Sequence, residues 1–112
     1  MWRCRLYDTD AIIEVLETSE YTKWLLGLHD QIARAKIIKR VNRLALGDVG
    51  DVKPVGDGPS ELRIHHGPGY RVYFRMIRGE LVLLLCGGDK GSQGRDIARA
   101  ERLAAELRGS RP

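Results

Sequence analysis

At 112 residues the chain has room for one hydrophobic core and one domain. Its net charge of +4 lies entirely in the second half: residues 1–60 carry nine basic and nine acidic side chains, residues 61–112 ten and six. A basic half draws phosphate backbones or acidic proteins, while the two cysteines, Cys4 and Cys86, exclude a disulfide framework or zinc-ligand spacing and point to the cytoplasm.

Residues 1–10 have no periodicity and are expected to form a leader ahead of a single domain at 11–108, with a fraying tail at 109–112. The start lacks the apolar stretch of a signal peptide, and the longest apolar run, Leu81 to Cys86, is far short of a membrane span. A soluble, unprocessed chain without a membrane partner is expected. The β-branched and aliphatic run Ala11 to Leu16 predicts the first strand. Thr18 or Ser19 then caps a helix with Tyr21, Trp24, Leu25 and Leu28 on one face. Asp30 caps a second helix, with Ile37, Ile38, Val41, Leu44 and Ala45 on one side and Lys36, Lys39, Arg40 and Arg43 opposite. Gly47 ends it.

Gly47 to Pro59 is rich in turn formers, without a period, and reads as one long loop. Glu61 to His66 alternates, with Leu62 and Ile64 inward and Arg63 and His65 outward. After a Gly67-Pro68-Gly69 turn the alternation resumes to Arg78: Val72, Phe74 and Met76 face in, and Arg71, Tyr73 and Arg75 face out. Leu81 to Cys86 has no polar position, as in a central strand covered on both faces. Ser92 is placed to cap a last helix with Ile97, Ala100, Leu103, Ala104 and Leu107 inward. The expected fold is α+β: a mainly antiparallel four-stranded sheet, two N-terminal helices packed on one face, and a C-terminal helix, in the order β-α-α-β-β-β-α.

Outward positions on neighbouring strands lie within one side chain's reach, so Arg63 and His65 are expected beside Arg71 and Tyr73 on an exposed sheet surface, with Lys90 and Gln93 entering from the mouth of the last helix. Cations that face one another on a sheet repel unless an anion neutralises them, which suggests a phosphate ligand. An ordinary solvated strand face explains the same arginines. Cys86-Gly87-Gly88-Asp89-Lys90-Gly91-Ser92 leads through glycines to a helix start, where backbone N–H groups favour anions. It lacks the spacing of a nucleotide-binding P-loop, and glycines serving only a sharp strand-to-helix turn account for it equally well. His65 is a candidate proton carrier that neighbouring guanidinium groups would keep neutral; His66 borders the turn. The basic side of the second helix could track a nucleic-acid backbone or simply face water. No metal-ligand spacing occurs, and neither metal nor cofactor is expected.

On Tyr21 with Trp24-Leu25, the stretch Gly47 to Gly56, Glu61-Leu62-Arg63-Ile64, Gly67-Pro68-Gly69-Tyr70-Arg71-Val72-Tyr73 and Leu84-Leu85-Cys86-Gly87-Gly88-Asp89-Lys90, the chain resembles the RelE/ParE superfamily of type II toxin-antitoxin toxins, in its HigB-like addiction module killer branch. The resemblance runs from about Ile12 to Leu107. It implies a toxin neutralised by a cognate antitoxin protein and, in the RelE-like branch, a metal-independent endoribonuclease acting on mRNA in the ribosome. By the same resemblance Arg71 steadies the phosphate, Arg63 and Lys90 are the further basic positions, and His65, Lys53 and Lys90 are contenders for proton transfer. Lys53, Tyr73, Gln93 and Arg95 are the expected RNA contacts, Tyr73 by stacking a base or supporting Arg71. The tyrosine that some RelE-type nucleases carry early in the last helix has no counterpart near Asp96 or Ile97. That departure keeps one alternative, a ParE-like inhibitor of DNA gyrase; a non-enzymatic nucleic-acid-binding module is the third reading.

Overall fold

The computed structural model describes residues 2–4 and 13–107. Its strands are β1 (Trp2–Cys4), β2 (Glu14–Thr18), β3 (Val52–Pro54), β4 (Ser60–Ile64), β5 (Tyr70–Ile77) and β6 (Leu81–Asp89); its helices are α1 (Ser19–Leu26), α2 (Gln31–Ala45) and α3 (Gln93–Glu106), the last preceded by a 3₁₀ turn at Lys90–Ser92. The strands form one sheet in the order β1-β2-β6-β5-β4-β3. The β4-β5-β6 meander is antiparallel as expected, and β2 lies parallel to β6, so the sheet is mixed.

The α+β class and the three helices match the sequence expectation, but the sheet has six strands instead of four. Trp2–Cys4, expected in an unpatterned leader, pairs antiparallel with β2. Val52–Pro54, expected within a loop, pairs with β4 along its other edge. Three-residue edge strands carry too few alternations to be distinguished from loop by periodicity. The rest of the leader, the expected strand start at Ala11 and Ile12, and the tail lie outside the described residues.

Both N-terminal helices pack on one face. Tyr21 and Leu25 of α1 and Ile37, Val41, Leu44 and Ala45 of α2 bury Leu62, Ile64, Val72, Phe74, Val82 and Leu84. The α1 cap is Thr18, whose hydroxyl accepts from Tyr21 N and also donates to the Leu85 carbonyl, so one side chain starts the helix and ties it to β6. Asp30 caps α2 through Ala33 N, as expected.

Helix α3 covers the opposite face, with Ala100 and Ala104 buried against Tyr73, Leu83, Leu85 and Cys86. A register shift beside Tyr73 and Phe74 leaves Leu85 as the extra residue of β6, and so Leu85 and Cys86 both turn toward α3. Beyond the shift, Gly87 and Gly88 continue the strand; they are not the glycine turn into the last helix expected from sequence. A Cβ on Gly87 would lie 2.2 Å from the Trp24 ring, and one on Gly88 would lie 1.8 Å from Asp96 Oδ2. The glycine pair admits an indole on one face and a carboxylate on the other.

Asp96, 1% exposed, is a buried polar group the helical pattern did not single out. It accepts from Arg99 Nη2 at 2.9 Å and from the Ser92 hydroxyl. Ser92 thus makes no side-chain cap on α3; instead Asp89 caps the 3₁₀ turn by accepting from Gly91 N and Ser92 N.

A candidate phosphate site around a buried carboxylate

Two alternate rungs of the sheet, with the Leu62–Val72–Gly87 rung between them, supply the site. In one, Lys53, Glu61, Tyr73 and Cys86 are in register across β3 to β6; in the other, Arg63, Arg71 and Gly88 are in register across β4 to β6. Glu61 and Arg63 stand two residues apart and so lie on the same side of β4. Their side chains meet: Arg63 Nε donates to Glu61 Oε1 at 2.9 Å, and Gln93 at the start of α3 donates to Glu61 Oε2 at 2.7 Å. Arg71 Nε lies 3.4 Å from Oε1, an ionic contact without hydrogen-bond alignment. Glu61 is 0% exposed. Burying a carboxylate costs several kcal/mol unless it is paired, and here two guanidinium groups and an amide meet that requirement.

The expected exposed cluster is therefore in large part a covered one. Tyr73 is fully buried under α3, which excludes base stacking. Its hydroxyl faces Glu61 without closing a hydrogen bond of normal geometry, and burial first, then the nearby carboxylate, raises its pKa. Arg71 is 8% exposed. The face is covered because α3 lies over it, a packing that strand alternation alone cannot reveal. Arg63 remains half-buried, held more firmly in its charged form by the hydrogen bond to Glu61.

Glu61 went unnoticed in the sequence, although a signal was present: a lone acidic residue on the same side of the strand as Arg63, in the segment Glu61-Leu62-Arg63. A carboxylate among basic side chains at that parity is the natural partner for them.

Lys90 reaches the same corner by another route. Its backbone N–H donates to Gly69 O at 2.9 Å, and Arg71 Nη1 donates to that oxygen at 3.1 Å. Gly69 has φ +81°, and a Cβ there would lie 3.4 Å from Arg71 Nη1 and 3.5 Å from Lys90 Cβ. The β4–β5 turn thereby draws Arg71 and Lys90 together, with the Lys90 side chain in solvent. Lys53 and Arg95 are likewise exposed, on the β3 edge and on α3.

His65 departs from expectation. It is exposed, and its Nε2 meets Asp51 Oδ2 at 2.6 Å, so its partner is a carboxylate and not the guanidinium cluster. The hydrogen bond from His65 lowers the Asp51 pKa. His66 ties the β4–β5 turn to the start of α2, with Nε2 2.9 Å from Asp30 Oδ2 and Nδ1 3.3 Å from Lys36 Nζ. An ammonium only donates, so Nδ1 accepts and Nε2 carries the proton offered to Asp30. The charged side of α2 borders a groove of about 230 Å³ lined by Lys36, Lys39, Arg40, Arg43, Arg63 and His65, among others. Arg63 thus joins the groove to the Glu61 cluster.

Among the described residues no group of three or more histidine, cysteine or acidic side chains is placed to hold a metal, and no helix is long and apolar enough to cross a membrane. A Haemophilus influenzae protein described as an uncharacterized protein is 50% identical over 95 residues, which span 85% of this chain and 96% of that one. No family model matches the chain, and no solved structure matches it.

Proposed function

The chain belongs to the same family as the Haemophilus influenzae protein, and we propose that it is the toxin of a type II toxin-antitoxin pair with a RelE/ParE-like fold: a cytoplasmic, ribosome-dependent mRNA endoribonuclease restrained by a cognate antitoxin. The observation that carries this reading is the convergence of Arg71, Arg63 and Lys90 on one corner of the sheet, two through Glu61 and one through Gly69. These are the basic positions that the sequence resemblance assigns to phosphate chemistry.

In that chemistry the RNA 2′-oxygen forms a bond to the adjoining phosphorus and the bond to the 5′-oxygen breaks. The 2′-hydroxyl proton leaves to a base and a proton is returned to the 5′-oxygen, giving a cyclic phosphate and a free 5′-hydroxyl. Arg71 serves as the stabiliser of the charge developing on the phosphorane, because a fixed guanidinium costs no reorganisation during reaction. Of the three contenders for proton transfer, Lys90 is the one beside Arg71, and it is assigned the proton to the leaving oxygen. Lys53, Gln93 and Arg95 are assigned as secondary RNA contacts.

A second reading, the ParE-like gyrase inhibitor, draws support from one specific observation: His65 is engaged with Asp51 and not with the arginines. Mapping RNA ends in translating ribosomes after brief induction separates the two. New 5′-hydroxyl ends are expected; their absence together with gyrase-linked DNA breaks would replace the nuclease reading with the second. Arg71→Ala is expected to abolish growth arrest, with at least about a hundredfold loss of cleavage, measured against purified ribosomes.

A further inference from the structure

We infer that Glu61 is a positioning residue for this site: a buried counter-ion that accepts from Arg63 Nε and faces Arg71 Nε, leaving both Nη groups of Arg63 and Nη2 of Arg71, with Lys90, to receive a phosphate. The inference deepens the nuclease reading and rests on it for the identity of the substrate.

The charges at the cluster do not balance. Two guanidinium groups meet one buried carboxylate; the exposed Asp51 also acts on Arg63 but is hydrogen-bonded to His65, so with Lys90 at the same corner positive charge is left over where the Arg71 side chain is 10% exposed and Glu61 wholly enclosed. Arg71 Nη1 is occupied by the Gly69 and Tyr70 carbonyls, and Arg71 Nη2 and both Arg63 Nη groups make no hydrogen bond among the described residues. A cation pair fixed on one edge and unsatisfied on the other is suited to an oxyanion, which guanidinium groups bind through paired N–H donors. Glu61 itself is an unsuitable mobile base or displaceable plug. It stands between Lys53 and Tyr73 in the body of the sheet, with both carboxylate oxygens engaged and no exposed surface. What remains for it is orientation, and through Gln93 it also fixes the first residue of α3 against β4.

The test is Glu61→Gln in the full chain, which keeps the shape and removes the charge. Three readouts are taken: inorganic sulfate affinity followed at the Gly69 and Lys90 amides by NMR, the Arg63 Nε–H resonance, and the kcat-against-KM split for cleavage. With the negative charge behind the guanidinium groups removed, sulfate is expected to bind about tenfold more tightly. The Arg63 Nε–H signal is expected to lose the shift of a charge-assisted hydrogen bond, and kcat to fall without a rise in KM. An unchanged sulfate affinity and an unchanged Nε–H signal in a folded variant would overturn the inference. So would parallel loss of stability, sulfate binding and cleavage, the pattern of a residue that only supports the fold. If Glu61→Gln does not fold, Gln93→Ala at the rim takes its place, and a shifted Arg63 Nε–H signal is then expected; no shift overturns the inference. Absence of cleavage by the unaltered chain would sink the nuclease reading alone, because the sulfate and Nε–H results judge Glu61 without any activity.

Discussion

The two faces of the central strands are built for different ends. Beneath α1 and α2 the contacts are mainly aliphatic and aromatic, with Leu84, Val82, Val72 and Phe74 buried against Leu25, Ile37, Val41 and Leu44, and one buried carboxylate, Glu17, that accepts from the Thr22 hydroxyl of α1. Beneath α3 the helix contributes small residues, Ala100 and Ala104, and the sheet contributes Tyr73 and Cys86, with Glu61, Arg71 and Asp96 buried around the periphery. The first face gains its stability from apolar area. The second spends part of that gain on charged groups held in fixed positions, which is where chemistry becomes possible.

The sharpest test of this contrast is Leu84→Ala. On the apolar face it should cost about 2 to 5 kcal/mol through lost contacts and the cavity left behind, seen as a fall in the urea midpoint. A loss below about 1 kcal/mol would mean that this face collapses around the gap and carries less of the stability than its burial implies.

Gly88→Ala probes the polar face. Its new methyl would be driven into the Asp96 carboxylate, and overpacking of this kind costs about 1 to 3 kcal/mol. Combination with Asp96→Ala should recover part of that cost, since residues in contact are not additive. Strict additivity in the double-mutant cycle would show that the carboxylate is not what requires glycine there.

Cys86 offers a third comparison. Burial pushes its thiol up to about 12, so in a Cys4→Ser background the folded chain should resist a thiol reagent at pH 8 and react fully in denaturant. Rapid labelling of the native chain would mean that the cover provided by α3 opens readily.

The smallest effect is expected at the exposed edge. Hydrogen bonding from His65, reinforced by Arg63 and Arg40, holds the Asp51 carboxyl below its ordinary 3.8. A carboxylate with a depressed pKa adds stability above its unfolded value and loses it as the pH falls through the folded one. His65→Ala should therefore move the Asp51 midpoint upward toward 3.8 in an NMR titration; a fixed midpoint would dissociate the pair.

Much of the apolar face was legible in the sequence. Tyr21, Leu25, Ile37, Val41 and Leu44 recur at helical spacing, and Leu62, Ile64, Val72 and Phe74 alternate, as two packed amphipathic layers require. The polar face was less legible, because its organisation depends on what covers what. Alternation correctly gave Arg71 and Tyr73 a common side, yet it could not tell that α3 would enclose Tyr73. The Leu85 bulge breaks the period that would have extended β6 through Gly87 and Gly88, so the glycines looked like a turn. Glu61 escaped notice because a carboxylate in a strand reads as solvated until its partners are brought over it. Strand parity does not reach the histidines, because β4 ends at Ile64 and both border the Lys36 side of α2, and the pairing of His65 with Asp51 comes from a connection whose path no local pattern encodes.

The parallel pairing of β2 with β6 has a consequence for synthesis. Glu14 is in register with Leu81, and Thr18 bonds to Leu85 across 67 residues of chain. The first helix can form early, but the strand before it has no central neighbour until β6 has been translated. Long-range pairing of this kind delays folding, since the chain entropy is lost before the contact repays it. The growing polypeptide thus passes through most of its translation without a completed sheet, and Arg71, already made, gains its full setting only when Gln93 follows. A binding partner waiting at the ribosome would meet the N-terminal helices before it met the finished basic corner.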